Sequence, residues 1–286
     1  MHILNGKKIL MIGNSFTYYG KCVVHKERTL LDLESRQNDQ GFFYQICKSN
    51  GADVSVVNWT WGGHALRDTF GEKCEYPKEC TGVNHFSHLT DLTYDYVYIQ
   101  EGTRNFGAES SLEICRNLIK LFKEKKPDVK FIFPVHVGYY ILDGYADVYE
   151  NVPEFEKLGM SIVGWGRLVN DIIKGNVLVP NGKETYNKNS FIVNQSEKDG
   201  FHPNMLSGYI TALMTYCVIT GESAVGKDYS FCTDTSVNPA FNVREYCDTY
   251  YKYDGATTNF PDVFASPEDM RGIQELIDKY IAEKLY

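Results

Sequence analysis

Short runs of apolar, β-favouring residues punctuate the chain, and most are followed by a segment whose apolar residues recur at helical spacing. The runs are Lys8–Ile12, Asp53–Asn58, Tyr94–Gln100, Val129–Val135 and Ser190–Val193, with Met160–Val163 as an additional one. Several are continuous rather than alternating, the pattern of strands covered on both faces. Strands of that kind, alternating with helices, build a parallel sheet with helices packed on its two sides. The expected class is therefore α/β, with the chemistry at the carboxyl ends of the strands.

The helical segments carry their own punctuation. Gly41–Asn50 groups Phe43, Ile46 and Cys47 and stops at Gly51, a residue suited to the left-handed conformation that ends helices. Ser110–Lys125 aligns Leu112, Cys115, Leu118, Ile119 and Phe122; Trp165–Ile173 is shorter. Asn204–Thr220 aligns Leu206, Tyr209, Ile210, Leu213 and Tyr216 and ends at Gly221. The last helix opens on Ser266-Pro267, a capping hydroxyl followed by a proline at the first helical position, and turns Ile273, Leu276, Ile277 and Tyr280 inward. Three stretches, Lys21–Gln40, Phe70–Thr93 and Ser223–Pro261, are too polar or irregular for core and read as insertions near 21–40, 70–93 and 223–261 of a single domain spanning 1–286.

Composition narrows the function classes. The chain has 286 residues, 43% of them apolar, enough for one large α/β domain and short for two. A formal net charge of -8 and the lack of any long Lys/Arg run argue against nucleic acid or an anionic membrane surface as partner. No apolar stretch approaches the length of a membrane span. The first strand begins almost at Met1, leaving no room for a signal peptide, so a cytoplasmic address is expected, or a secreted one if a leader has been removed.

Four segments at strand ends carry candidate chemistry. Gly13-Asn14-Ser15 follows the first strand, where a serine exposes its hydroxyl and its own N–H can help hold an oxyanion; a helix starting there would aim its positive dipole end at the same place. The same three residue types also make ordinary turns. Asp199-Gly200-Phe201-His202-Pro203 offers a base with a carboxylate three residues away, or simply a turn that opens a helix. Gly62-Gly63 ends the second strand; Gly63 is the preferred backbone donor to a substrate oxygen, and a plain tight turn competes with it. After the third strand, Gln100 is the first choice and Asn105 the second for a side-chain amide donor, while Glu101 and Arg104 read as a surface ion pair. Ser15, Asp199 and His202 together have the residue types and the order of a Ser-His-Asp hydrolase.

In order, these segments resemble the sequence blocks of the SGNH (GDSL-like) hydrolase superfamily. Ser15 in Ile12-Gly13-Asn14-Ser15-Phe16-Thr17 stands at the first block, Gly63 at the second, and Asp199-x-x-His202 with Pro203 at the last. Asn14 replaces the usual Asp, a variant associated with a bacterial branch whose first block reads Gly-Asn-Ser-Phe-Thr. The third block departs from the usual Gly-x-Asn, since Gln100-Glu101-Gly102 is closer to carbohydrate acetylesterase-like members. The resemblance covers roughly Lys8 to Gly221 and implies a three-layer α/β/α sandwich, a flavodoxin-like parallel sheet of about five strands. It also implies hydrolysis of esters, often acetyl esters on sugars, with no cofactor. The expected substrate is a small-molecule or carbohydrate ester. A lipase- or thioesterase-like activity, or a catalytically silent carbohydrate-binding protein of the same fold, are the alternatives.

Eight cysteines remain to be placed. Cys47, Cys115 and Cys217 lie on apolar helical faces and read as small buried hydrophobes. Cys22, Cys74, Cys80, Cys232 and Cys247 sit in polar, loop-like surroundings. Cys74, Cys80, His85 and His88 fall within one insertion as possible zinc ligands, but their spacing is looser than that of finger or ribbon sites, so no metal is expected.

Overall fold

The first strand, Lys7–Gly13 (β1), sends Ile9 and Met11 into one apolar cluster and Leu10 and Ile12 into another, so the sheet has a core on each face. The computed structural model describes residues 2–25, 36–61, 65–70, 89–102, 109–141, 148–182, 186–192, 202–232 and 266–286. After β1 come α1 (Ser15–Tyr18), β2 (Val24–His25), β3 (Arg36–Gln37), α2 (Phe42–Ser49), β4 (Val54–Thr60) and α3 (Leu66–Phe70). The middle of the chain supplies β5 (Tyr96–Ile99), α4 (Glu109–Lys125), β6 (Lys130–Pro134), α5 (Gly138–Ile141), α6 (Val148–Lys157), β7 (Met160–Val163) and α7 (Trp165–Ile173). The C-terminal part supplies α8 (Lys188–Phe191), α9 (Met205–Thr220) and α10 (Pro267–Ala282).

The main sheet has five strands in the order β4-β1-β5-β6-β7, and every pairing is parallel. This is the flavodoxin-like order, in which the chain moves to one side of β1 and then to the other. The crevice for a ligand then opens where β1 and β5 end side by side. Residues of α2, α7, α9 and α10 pack on the Ile9 face, and Leu112, Cys115, Leu118 and Phe122 of α4 with Phe155 of α6 pack on the Leu10 face. The three-layer α/β/α sandwich is thus present. No described helix is long and apolar enough to cross a membrane.

Two expectations fail in instructive ways. The described part of the run Ser190–Val193, residues 190–192, does not join the sheet; Lys188–Phe191 is one helical turn, and Ile192 makes an isolated antiparallel bridge with Pro203. Asn187 and Ser190 form a reciprocal capping box, which satisfies backbone amides locally and favours a turn over an extended ladder. Met160–Val163 takes the edge position instead. The stretch from Lys21 to Gln40 is also not merely decoration. Cys22, Val23 and Val24 are fully buried, and β2 pairs antiparallel with β3.

Helix α9 is covered along most of its length, with every residue from Met205 to Cys217 buried. Its polar side chains are satisfied internally: Thr211 and Thr215 donate to the carbonyls of Ser207 and Thr211, and Ser207 donates to the carbonyl of Phe191. At its first turn Gly208 meets Gly20 backbone to backbone. A Cβ on Gly208 would stand 1.6 Å from the Gly20 carbonyl oxygen, so no side chain fits there. Gly208→Ala is expected to destabilise the protein by about 1–3 kcal/mol or more, the usual cost of forcing a methyl into a closed contact. Urea denaturation checks this, and a variant of parental stability would contradict it.

Candidate active site

Ser15 is held by the turn that ends β1. Asn14 caps α1, its side chain accepting from Phe16 N–H at 3.0 Å. The Asn14 N–H itself donates to Gln100 Oε1 at 3.0 Å, and the Thr17 hydroxyl donates to the same oxygen at 2.8 Å. Gly13 is required by this bracing, since a Cβ there would lie 2.5 Å from Thr17 Oγ1. Ser15 is the first residue of α1, so its N–H has no partner within the helix. Because α1 is a single turn of four residues, the dipole expected behind the serine is small, and the bare amide is the donor that remains.

His202 arrives from the far end of the chain. Pro203 bridges Ile192, Asn204 caps α9 by accepting from Ser207 N–H, and Asn204 Nδ2 donates to the Ser190 carbonyl. Two ties thus grip the residues just after the histidine. Its Nε2 lies 2.7 Å from Ser15 Oγ, although 187 positions separate the two residues. The imidazole stacks on Tyr19, with centroids 4.2 Å apart, and tilts against Phe16 at 5.2 Å. These rings restrict the imidazole to an orientation that presents one nitrogen to the hydroxyl.

The other expected site residues fall into two groups. Gln100 is buried at the tip of β5, where its Oε1 braces the serine turn and its Nε2 donates to the Glu101 carbonyl. Asp199, Gly62, Gly63, Asn105 and Arg104 lie outside the described residues, as do Cys74, Cys80, His85 and His88. Glu101 is not a surface residue: it is fully buried and accepts from Leu66 N–H, Gly102 N–H and the Ser111 hydroxyl. A charged residue directly after an apolar strand reads as solvated only while the loops around it are unknown.

His136 is a residue the sequence reading passed over. It follows β6 directly, is completely buried and stacks on Phe16 at 3.9 Å, on the ring that also meets His202. The available signal was its place at the carboxyl end of a strand, where site residues gather. Burial pushes its proton affinity well below the usual histidine range; a hydrogen bond with the Glu101 backbone opposes this, and nearby His202 adds to it. The cysteines need a correction. Cys22 and Cys232 are buried in the core beside Cys47 and Cys217. Burial raises the Cys22 thiol to about 12, so it is not a nucleophile at neutral pH.

No family model matches the chain. No curated protein matches it. Solved structures do resemble it. A DUF4886 family protein from Bacteroides uniformis is similar over 97% of this chain and 95% of its own, with 16% identity and a TM-score of 0.55. A catalytic mutant of an acetylxylan esterase from Geobacillus stearothermophilus is similar over 78% of this chain and 98% of its own, with 16% identity and a TM-score of 0.50. A second catalytic mutant of that esterase gives 17% identity over the same shares, again with a TM-score of 0.50. At such identities the likeness establishes the fold that these proteins share with this chain.

The buried His136 generates a pH prediction. Unfolded, a histidine takes up a proton near pH ~6.5, whereas His136 in the folded protein resists protonation until well below that. The unfolded state therefore binds more protons in that window, and stability falls as pH drops below ~6.5. Denaturant titrations at several pH values should show a shallower acid loss in His136→Phe. An unchanged slope would contradict the assignment.

Proposed function

We propose that the protein is a serine-dependent carboxylic ester hydrolase acting on acetyl esters, with carbohydrate as the alcohol part. One observation carries this reading: the 2.7 Å separation between Ser15 Oγ and His202 Nε2 at the switch point of a parallel sheet. A strand-end serine in hydrogen-bond contact with an imidazole is the arrangement that makes a hydroxyl nucleophilic. The fold shared with an acetylxylan esterase adds support for the acetyl-carbohydrate choice.

The proposed steps are these. Ser15 Oγ attacks the ester carbonyl carbon as its proton passes to His202 Nε2. The resulting oxyanion is bound by the N–H groups of Ser15 and Gly63 together with a side-chain amide. Gln100 and Asn105 are the two candidates for that amide. Because Gln100 already spends its Oε1 on the serine turn and one N–H on Glu101, Asn105 is the better assignment. His202 then protonates the departing alkoxide, leaving an acyl-serine. Water, losing a proton to the same nitrogen, attacks the acyl group, and the carboxylic acid and free serine are regenerated. Asp199 holds the other imidazole nitrogen and stabilises the imidazolium. Tyr19 and Phe16, stacked on the ring, resist its rotation between the two proton transfers.

Turnover of a chromogenic acetate and of a longer acyl ester, compared between the parent protein and Ser15→Ala, tests the proposal. The parent should release product from acetate far faster than Ser15→Ala does, and the long ester should react poorly. His202→Ala should lose about 10²–10⁴-fold in kcat, the range for a positioned acid–base group. Equal rates in parent and Ser15→Ala would end the esterase reading. Preference for the long ester would move the activity to the lipase-like class.

A further inference from the structure

The geometry points to Glu101 as a positioning residue for acyl transfer: its buried carboxylate ties the starts of α3 and α4 to the end of β5, where the neighbouring Gln100 braces the turn that carries Ser15. This rests on the hydrolase reading above and extends it to a residue that does not touch substrate.

The carboxylate has no solvent exposure, and its two oxygens divide their work. Oε1 accepts from Leu66 N–H at 2.9 Å and from Gly102 N–H, while Oε2 accepts from the Ser111 hydroxyl. Leu66 opens α3 and stands three residues beyond Gly63, whereas Ser111 lies in the first turn of α4. One side chain therefore gathers the chain leaving β4, the chain leaving β5 and the start of the next helix. The first two are also in direct backbone contact. A Cβ on Gly102 would lie 3.0 Å from Ala65 Cα.

The link to the serine runs through the preceding residue. Gln100 Oε1 accepts from Asn14 N–H and the Thr17 hydroxyl, and its Nε2 donates to the Glu101 carbonyl. Gln100 and Glu101 thus form a two-residue bracket on β5's end. One half grips the turn on both sides of Ser15, and the other grips the segment that follows the glycine pair. Oxyanion donors act only when both stand within hydrogen-bond distance of one atom. A displacement of about 1 Å between reacting groups can cost about 10²-fold in rate. An acceptor shared by the start of α3, the start of α4 and the chain just after β5 holds these segments to the strand end that braces the Ser15 turn.

The test compares Glu101→Leu, which removes every acceptor, with Glu101→Gln, which keeps the Oε1 acceptor and offers an N–H to the Ser111 hydroxyl. Chromogenic acetate is the substrate, and thermal midpoints establish that each variant is folded. Glu101→Leu is expected to lose about 10²-fold in kcat with KM little changed, and Glu101→Gln should recover most of the loss. Folded Glu101→Leu with parental kcat would overturn the assignment. So would Glu101→Gln as impaired as Glu101→Leu, because the charge and not the acceptor would then matter. If Glu101→Leu fails to fold, Ser111→Ala decides: a measurable fall in kcat at unchanged KM supports the bracket, and parental kcat overturns it. A parent protein with no Ser15-dependent turnover overturns the hydrolase reading and this assignment with it. Ser15-dependent turnover with indifferent Glu101 and Ser111 variants overturns this assignment alone.

Discussion

The separation of Ser15 from His202 depends on a contact in which no side chain takes part. Gly20, just past the serine's helix, and Gly208, in the first turn of α9, meet through their backbones, and an added Cβ on Gly20 would stand 2.7 Å from the Asn204 carbonyl oxygen as well. The helix whose cap follows His202 is therefore pressed against the segment that follows Ser15. Any residue larger than glycine at either place would push the two apart by a good part of an ångström, and hydrogen bonds weaken steeply over such distances. The local interactions around each residue, the Asn14 cap on one side and the Pro203 bridge with the Asn204 cap on the other, aim the side chains. The glycine contact brings the two aimed groups into reach.

Around this pair the carboxyl ends of the strands hold buried polar groups at high density. Asn14, Gln100, Glu101 and His136 all have little or no solvent exposure. Burial of such groups is costly unless they are bonded, and Asn14, Gln100 and Glu101 bond to one another and to backbone amides across β1, β5 and the chain after β4. Polar atoms that would be a liability in a featureless core become a rigid frame when satisfied. Ring stacking adds to it, since Phe16 meets both His136 and His202. A frame with this little slack suits a reaction in which charge moves by a fraction of an ångström between fixed groups.

Much of this was legible in the sequence because it depends on near neighbours in the chain. The continuous runs at Lys8–Ile12 and Val129–Val135 became buried parallel strands, and Ser266 capped the helix it precedes. The Ser15 turn and the His202 segment stood out because each lies where a strand or helix begins or ends. The strand expected at Ser190–Val193 failed because a capping box of two side chains outweighed β-branched composition. Glu101 was misplaced for a different reason: partners of its carboxylate come from residues 66, 102 and 111, and no local pattern reveals that such a carboxylate is enclosed. His136, Tyr19 and the Gly20–Gly208 contact are likewise consequences of packing between distant segments. Cys22 and Cys232 read as lying in loop-like surroundings because no regular apolar periodicity runs through them, while in space both belong to the apolar core.

An activated serine declares itself by reacting where other serines do not. Incubation with a phosphonate ester that mimics the tetrahedral intermediate, followed by peptide mass spectrometry, reads this without assuming any substrate. The expected result is a single adduct on Ser15, formed much more slowly in His202→Ala. No adduct, an adduct on another residue, or labelling of Ser15 indifferent to His202 would contradict the paired serine and histidine as the working centre of this protein.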